Sequence, residues 1–202
     1  MNLILLGALI YLVPDAVHAF TRAHPPALTR FLTQVLLSES FQTLVHIGVT
    51  AIWILPVFGA RPVVRLVWAC GSASVHLVLS HWFYYDWVND VKGIDGGLLG
   101  FLMWTVPMIA SSLAHDILAG QSDHGRAART LLAWGAAAMA LGYAFSCLNL
   151  MTPPNTLREA SGSRLTEPPF VPPTRPVNLW TMSQRAGTVF YMTFAAGLSL
   201  AL

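Results

Sequence analysis

Glu39, Gln42 and His46 stand three and then four positions apart, which puts a carboxylate, an amide and an imidazole on one face of a helix. Facing the interior of a bundle, such a set can relay a proton or line a substrate strip; bridging two helices is its plainer use. His81 and Asp86 form a second set, in which an imidazole near a carboxylate can act as a general base, or can simply be wetted at an interface. His76 and His81 are five apart, about 500° of helix rotation, so they point into different sectors. The loop Lys92-Gly93-Ile94-Asp95-Gly96-Gly97 is a third candidate. Glycines there let the chain turn sharply and leave amides at the start of a helix, a geometry that favours an anionic group; Asp95 can equally serve as an N-cap. A fourth is Trp180, Gln184 and Arg185: the first two share a helical face at i, i+4, and the third can hold a phosphate or snorkel to the interface. The catalytic candidates are thus His46, His81 and Glu39. The substrate-binding candidates are Gln42, Asp86, Asp95, Gly96, Gly97, Trp180, Gln184 and Arg185.

Several chemistries have no carrier. There is no CxxC, HExxH, Walker loop or GxSxG. Cys70 and Cys147 lie in apolar runs and read as packing residues. No metal site is expected. Haem would need facing histidines at matched depth, and His46, His76 and His115 show no such pairing, so haem is not expected either. His115-Asp116 reads as a polar pair at an interface.

The elements that must position these residues are membrane helices. Of 202 residues, 55% are hydrophobic and 10% are charged, against about 25% charged in soluble domains. A net charge of +2 leaves no nucleic-acid footprint. The partners expected instead are membrane lipids and protein subunits of a membrane complex. Apolar runs long enough for a hydrocarbon core of about 30 Å predict six spans near 2–20, 41–58, 63–85, 97–118, 127–150 and 181–202. Pro14 should kink the first or end it early. Leu28, Phe31, Leu32, Val35 and Leu36 repeat with helical period and predict a short amphipathic helix at the interface. Residues 151–180 form a proline-rich loop, expected to cap the bundle on the non-cytoplasmic side. Gly135, Ala136, Ala137, Ala138 and Gly142 suit close helix packing. The short turns bearing Arg61, Arg65, Arg126 and Arg129 are assigned to the cytoplasm. The fold class is all-α: a polytopic transmembrane bundle, read as one integral-membrane domain over 1–202. A bacterial inner (cytoplasmic) membrane is the expected location.

Two segments carry a resemblance. Gly93–Asp116, GIDGGLLGFLMWTVPMIASSLAHD, and Asn178–Leu202, NLWTMSQRAGTVFYMTFAAGLSLAL, resemble the later helices of bacterial relatives of heparan-alpha-glucosaminide N-acetyltransferase. In that family of multi-span membrane acyltransferases a D-G-G or D-P-E-G loop opens one helix. An N-L-W-[ST] stretch opens another after a proline-containing loop. The matching residues are Asp95, Gly96 and Gly97, then Asn178, Leu179, Trp180 and Thr181. The similarity covers roughly the last two-thirds of the chain. It implies acyl transfer from acetyl-CoA, as donor substrate, to an amino-sugar acceptor. The family's N-terminal catalytic portion has no matching stretch, so its histidine is carried onto no residue, and the chain looks like a partial version of the fold. Two other functions fit the residues: a non-catalytic accessory subunit of a larger membrane complex, and a small proton-coupled transporter working through Glu39 and His46.

Overall fold

The computed structural model describes residues 2–21, 42–90, 94–151 and 177–202. All regular structure among them is helical. The amphipathic helix expected within 21–40, Glu39, and most of the proline-rich loop lie outside the described residues.

Helix α1 is Asn2–Phe20 and runs through Pro14, so the expected early end does not occur. Helix α2 is Thr43–Ile54, tightened into a 3-10 turn at Leu55–Val57 where Pro56 withdraws its N–H. Helix α3 is Pro62–Leu79, begun by a proline whose missing N–H costs nothing at the first helical position. It passes without a break into a π-helical turn at Ser80–Tyr84 and then α4, Tyr85–Asp90. Helix α5 is Phe101–Gly120, preceded by a 3-10 turn at Gly97–Leu99. Helix α6 is His124–Ser146, three residues earlier than the hydropathy predicts. The reason is Asp123, whose carboxylate accepts the Gly125 and Arg126 amides at 2.9 and 3.2 Å as an N-cap. Helix α7 is Val189–Ala201. It starts eight residues later than expected, because 177–187 folds as turns.

Among the described residues three stretches are long and apolar enough to cross a membrane: Pro62–Asp90, Gly97–Gly120 and His124–Met151. The apolar helices at Thr43–Val57 and Val189–Ala201 are shorter. Large apolar side chains stand outward on α1 (Leu5, Leu9, Val13), α3 (Val63, Val67, Val75, Val78) and α6 (Leu132, Trp134, Leu141). A surface of that kind suits lipid rather than water.

The chain divides into two compact units. The first holds residues up to Thr105 together with Gln184–Gly187. Within it α1 packs on α2, where Gly7 admits Val45 and Gly48 admits Ile4. The second holds Val106–Ser183 and Thr188–Leu202. Its core is α6 against α7, backbone close to backbone at the glycines: a Cβ on Gly135 would lie 2.6 Å from the Gly197 carbonyl oxygen. Small residues permit such approach where lipid gives no hydrophobic drive. Phe145, Phe190 and Trp180 stack in sequence, with centroids 5.9 and 5.3 Å apart.

Candidate functional site

The polar groups of the first unit converge on one turn. Asp95, Gly96 and Gly97 all take left-handed backbone conformations, with φ of 52°, 89° and 59°. Glycine adopts this freely, while aspartate is strained there by about 1–2 kcal/mol. Strain of this kind persists only where the surroundings over-determine it, and here they do. The Gly96 N–H donates to the Arg185 carbonyl at 3.0 Å, and the Gly97 N–H to the Ile94 carbonyl at 2.9 Å. The Tyr84 hydroxyl donates to the Gly96 carbonyl at 2.7 Å and accepts the Leu99 N–H at 2.6 Å. Trp104 Nε1–H reaches the Asp95 carbonyl at 3.3 Å.

The Asp95 side chain is enclosed, 3% exposed. One carboxylate oxygen accepts from Thr43 Oγ1 at 2.6 Å, and the other from Gln184 Nε2 at 3.3 Å. Among the described residues no cation pairs with it. Burying a carboxylate without a cation is costly. The Thr43 and Gln184 contacts lessen that cost, and Gln184 itself is exposed.

His46 is fully buried. Its Nε2–H donates to the Gly97 carbonyl at 2.8 Å, its Nδ1 lies 3.1 Å from the Gln42 carbonyl, and its ring stacks on Trp104. Neither ring nitrogen faces an open site, so in this placement His46 holds the turn against α2. Gly100 makes room for it: a Cβ there would stand 2.5 Å from His46 Nε2 and 2.6 Å from the Asp95 carbonyl oxygen.

The remaining sequence candidates fall as follows. Gln42 is half-buried and enters through its main-chain carbonyl. The Gly96 and Gly97 amides were expected to stand open for an anion. Both are instead consumed by main-chain acceptors, because the turn folds back on itself and on Arg185. Arg185 is exposed and contributes its carbonyl. His81 and Asp86 are exposed while His76 is buried, so His76 and His81 occupy different sectors as expected. Trp180 and Gln184 do not share a helical face, since the segment between them is not helical; Trp180 belongs to the ring stack of the second unit. Asn178 there donates to Asn149 Oδ1 at 2.6 Å and caps its own turn by accepting the Trp180 amide. His115 and Asp116 lie 3.8 Å apart on an exposed surface. Among the described residues no cluster of three or more His, Cys, Asp or Glu could hold a metal.

Sequence reasoning missed Thr43, Tyr84, Trp104 and Gly187. Thr43 sits beside a candidate residue, but Tyr84 is hidden in the aromatic run HWFYYDW, which reads as a headgroup belt. Replacing Tyr84 by Phe leaves the Gly96 carbonyl and the Leu99 amide unmet. At about 1–3 kcal/mol for each buried partner, the variant is expected to lose about 2–6 kcal/mol, read as a lower unfolding midpoint in detergent.

The chain matches no family model, no curated protein and no solved structure.

Proposed function

We propose that this protein is a six-span integral membrane acyltransferase of the bacterial inner membrane, taking an acetyl group from acetyl-CoA to an amino-sugar acceptor. One observation carries the reading. The two segments that carry the family resemblance meet at the strained turn: Gly96 is bonded to Arg185, and Asp95 to Gln184. In this reading Asp95 is the acceptor-binding carboxylate. Its Gln184 contact is long and lies on the exposed side, so an amine or hydroxyl of the acceptor can replace Gln184 as donor. Arg185 holds a phosphate of the donor. The helices at Thr43–Val57 and Val189–Ala201, with α1, complete the span count.

The test is the purified chain in nanodiscs with radiolabelled acetyl-CoA and glucosamine. Transfer above the protein-free background is expected. His46→Gln should retain most of it, because glutamine can still donate to the Gly97 carbonyl. A complete loss in His46→Gln with the fold intact would return the general-base role to His46.

A second reading is favoured by the closure of the network. His46 Nε2, Tyr84 and the turn amides are bonded within the protein, as suits a non-catalytic subunit that packs in a larger membrane complex. No transfer by the isolated chain, with a second membrane protein copurifying stoichiometrically from native membranes, would establish it in place of the first.

A further inference from the structure

We propose that the buried face of α3 conducts protons along the membrane span, between the Trp68 end of the helix and the Asp95 turn. This inference does not rest on the acyl-transfer reading. Ser72, His76, Ser80 and Tyr84 follow one another at four-residue spacing, and all four are buried. Trp68, four residues earlier, adds an indole N–H that is buried and unbonded among the described residues. From Trp68 to Tyr84 the rise is about 24 Å, most of a hydrocarbon core of about 30 Å. In an α-helix each step of four overshoots a full turn by about 40°, so a long ladder drifts off its face. The π turn at Ser80–Tyr84 is wider and takes back part of that drift where it matters, at Tyr84.

Contacts join the lower rungs, Ser80 to His76 and His76 to Tyr84, and Ser72 is met from a neighbouring helix. Trp53 Nε1–H donates to Ser72 Oγ at 2.9 Å. Ser80 Oγ lies 3.3 Å from His76 Nδ1, and the His76 ring stands edge-on to Tyr84 at 5.6 Å. The Tyr84 hydroxyl ends the ladder on the Gly96 carbonyl. Tyr84 is the titratable side chain in ring contact with His76. Asp95 lies beyond it, and Arg65 is the buried charge on the same face, seven residues before Ser72.

The decisive feature is His76 Nε2. His76 is 2% exposed, and this nitrogen has no hydrogen-bond partner among the described residues. A histidine kept only to bind helices together would have both nitrogens bonded, since an unmet buried polar atom costs about 1–3 kcal/mol. Ionisable side chains within membrane spans mark substrate, ion and proton paths among their common uses. The step uses water as the carrier. A hydronium ion gives a proton to the Nε2 lone pair, forming one N–H bond. Nδ1 releases its proton to Ser80 Oγ, breaking another, and the serine hydroxyl passes its own hydrogen to the next water. The ring is left neutral in its other tautomer and resets by rotation. No electrons are transferred.

The whole chain, reconstituted in phosphatidylcholine–phosphatidylglycerol vesicles with trapped pyranine, is driven by a valinomycin potassium potential. Proton entry is expected well above that of protein-free vesicles. It should fall about 10²-fold, or to the protein-free rate, in His76→Leu, and be unchanged in the exposed-site variant His115→Leu. Should His76→Leu fail to fold, solid-state NMR of the ¹⁵N-histidine wild type decides, through polarisation transfer from water to His76 Nε2. Entry equal to protein-free vesicles, entry unaffected by His76→Leu, or no water contact at Nε2 would each overturn the proposal.

Discussion

Asparagine at position 95 is expected to abolish acyl transfer while leaving the fold in place. Asn is close to Asp in shape and is the other residue that tolerates a left-handed conformation, so the φ of 52° survives the change. Its amide oxygen can still accept from Thr43, whose contact is the shorter of the two at 2.6 Å. What is lost is the negative charge. If Asp95 orients the acceptor and takes a proton from it, turnover with acetyl-CoA and glucosamine should drop about 10²–10⁴-fold. The accessory reading gives the opposite signature. There the carboxylate is a buried charge with no cation among the described residues, and removing it should hold or raise the unfolding midpoint with no activity to lose. A variant with full transfer activity would remove Asp95 from the site altogether.

Alanine at Gly187 is expected to destabilise the first unit by about 2–5 kcal/mol, combining overpacking with left-handed strain. Gly187 has φ of 58°, and a Cβ there would stand 2.6 Å from Gly96 Cα and 2.9 Å from Gly96 N. Those are main-chain atoms, and the Gly96 N–H is bonded to Arg185, two residues before Gly187. Neither strand of the crossing can retreat without breaking the contact that holds Asp95. The matched control is Gly71→Ala in α3, where a Cβ meets open space. That change should stabilise by about 0.5–1 kcal/mol, because alanine loses less backbone entropy in a helix. Unfolding midpoints in the same detergent read both. Equal midpoints for the two variants would mean that the crossing at Gly96 and Gly187 is not tight.

Hydropathy alone determined that this chain is helical and apolar enough to cross a membrane, because a run of about 20 uncharged residues has few other stable solutions. The starts expected near residues 2, 41, 63, 97 and 127 lie within three residues of those observed, because composition and proline placement are local; the Asp123 cap accounts for the earlier start at His124. The late start of α7 was not legible, because the turns at 177–187 are held by contacts made far along the chain, such as Asn178 with Asn149. Asp95 and the glycines could be picked out as a turn, but spacing suggested open amides, and tertiary structure closed them. The partner of Gly96 is Arg185, 89 positions away, and no local pattern records a pairing of that range. Likewise the helical period placed His46 on a face with Gln42, yet only the fold set its Nε2 on the Gly97 carbonyl. The helical period put His76 and His81 in different sectors. It could not say that His76 Nε2 would find no partner among the described residues, since that depends on what the neighbouring helices bring to meet it.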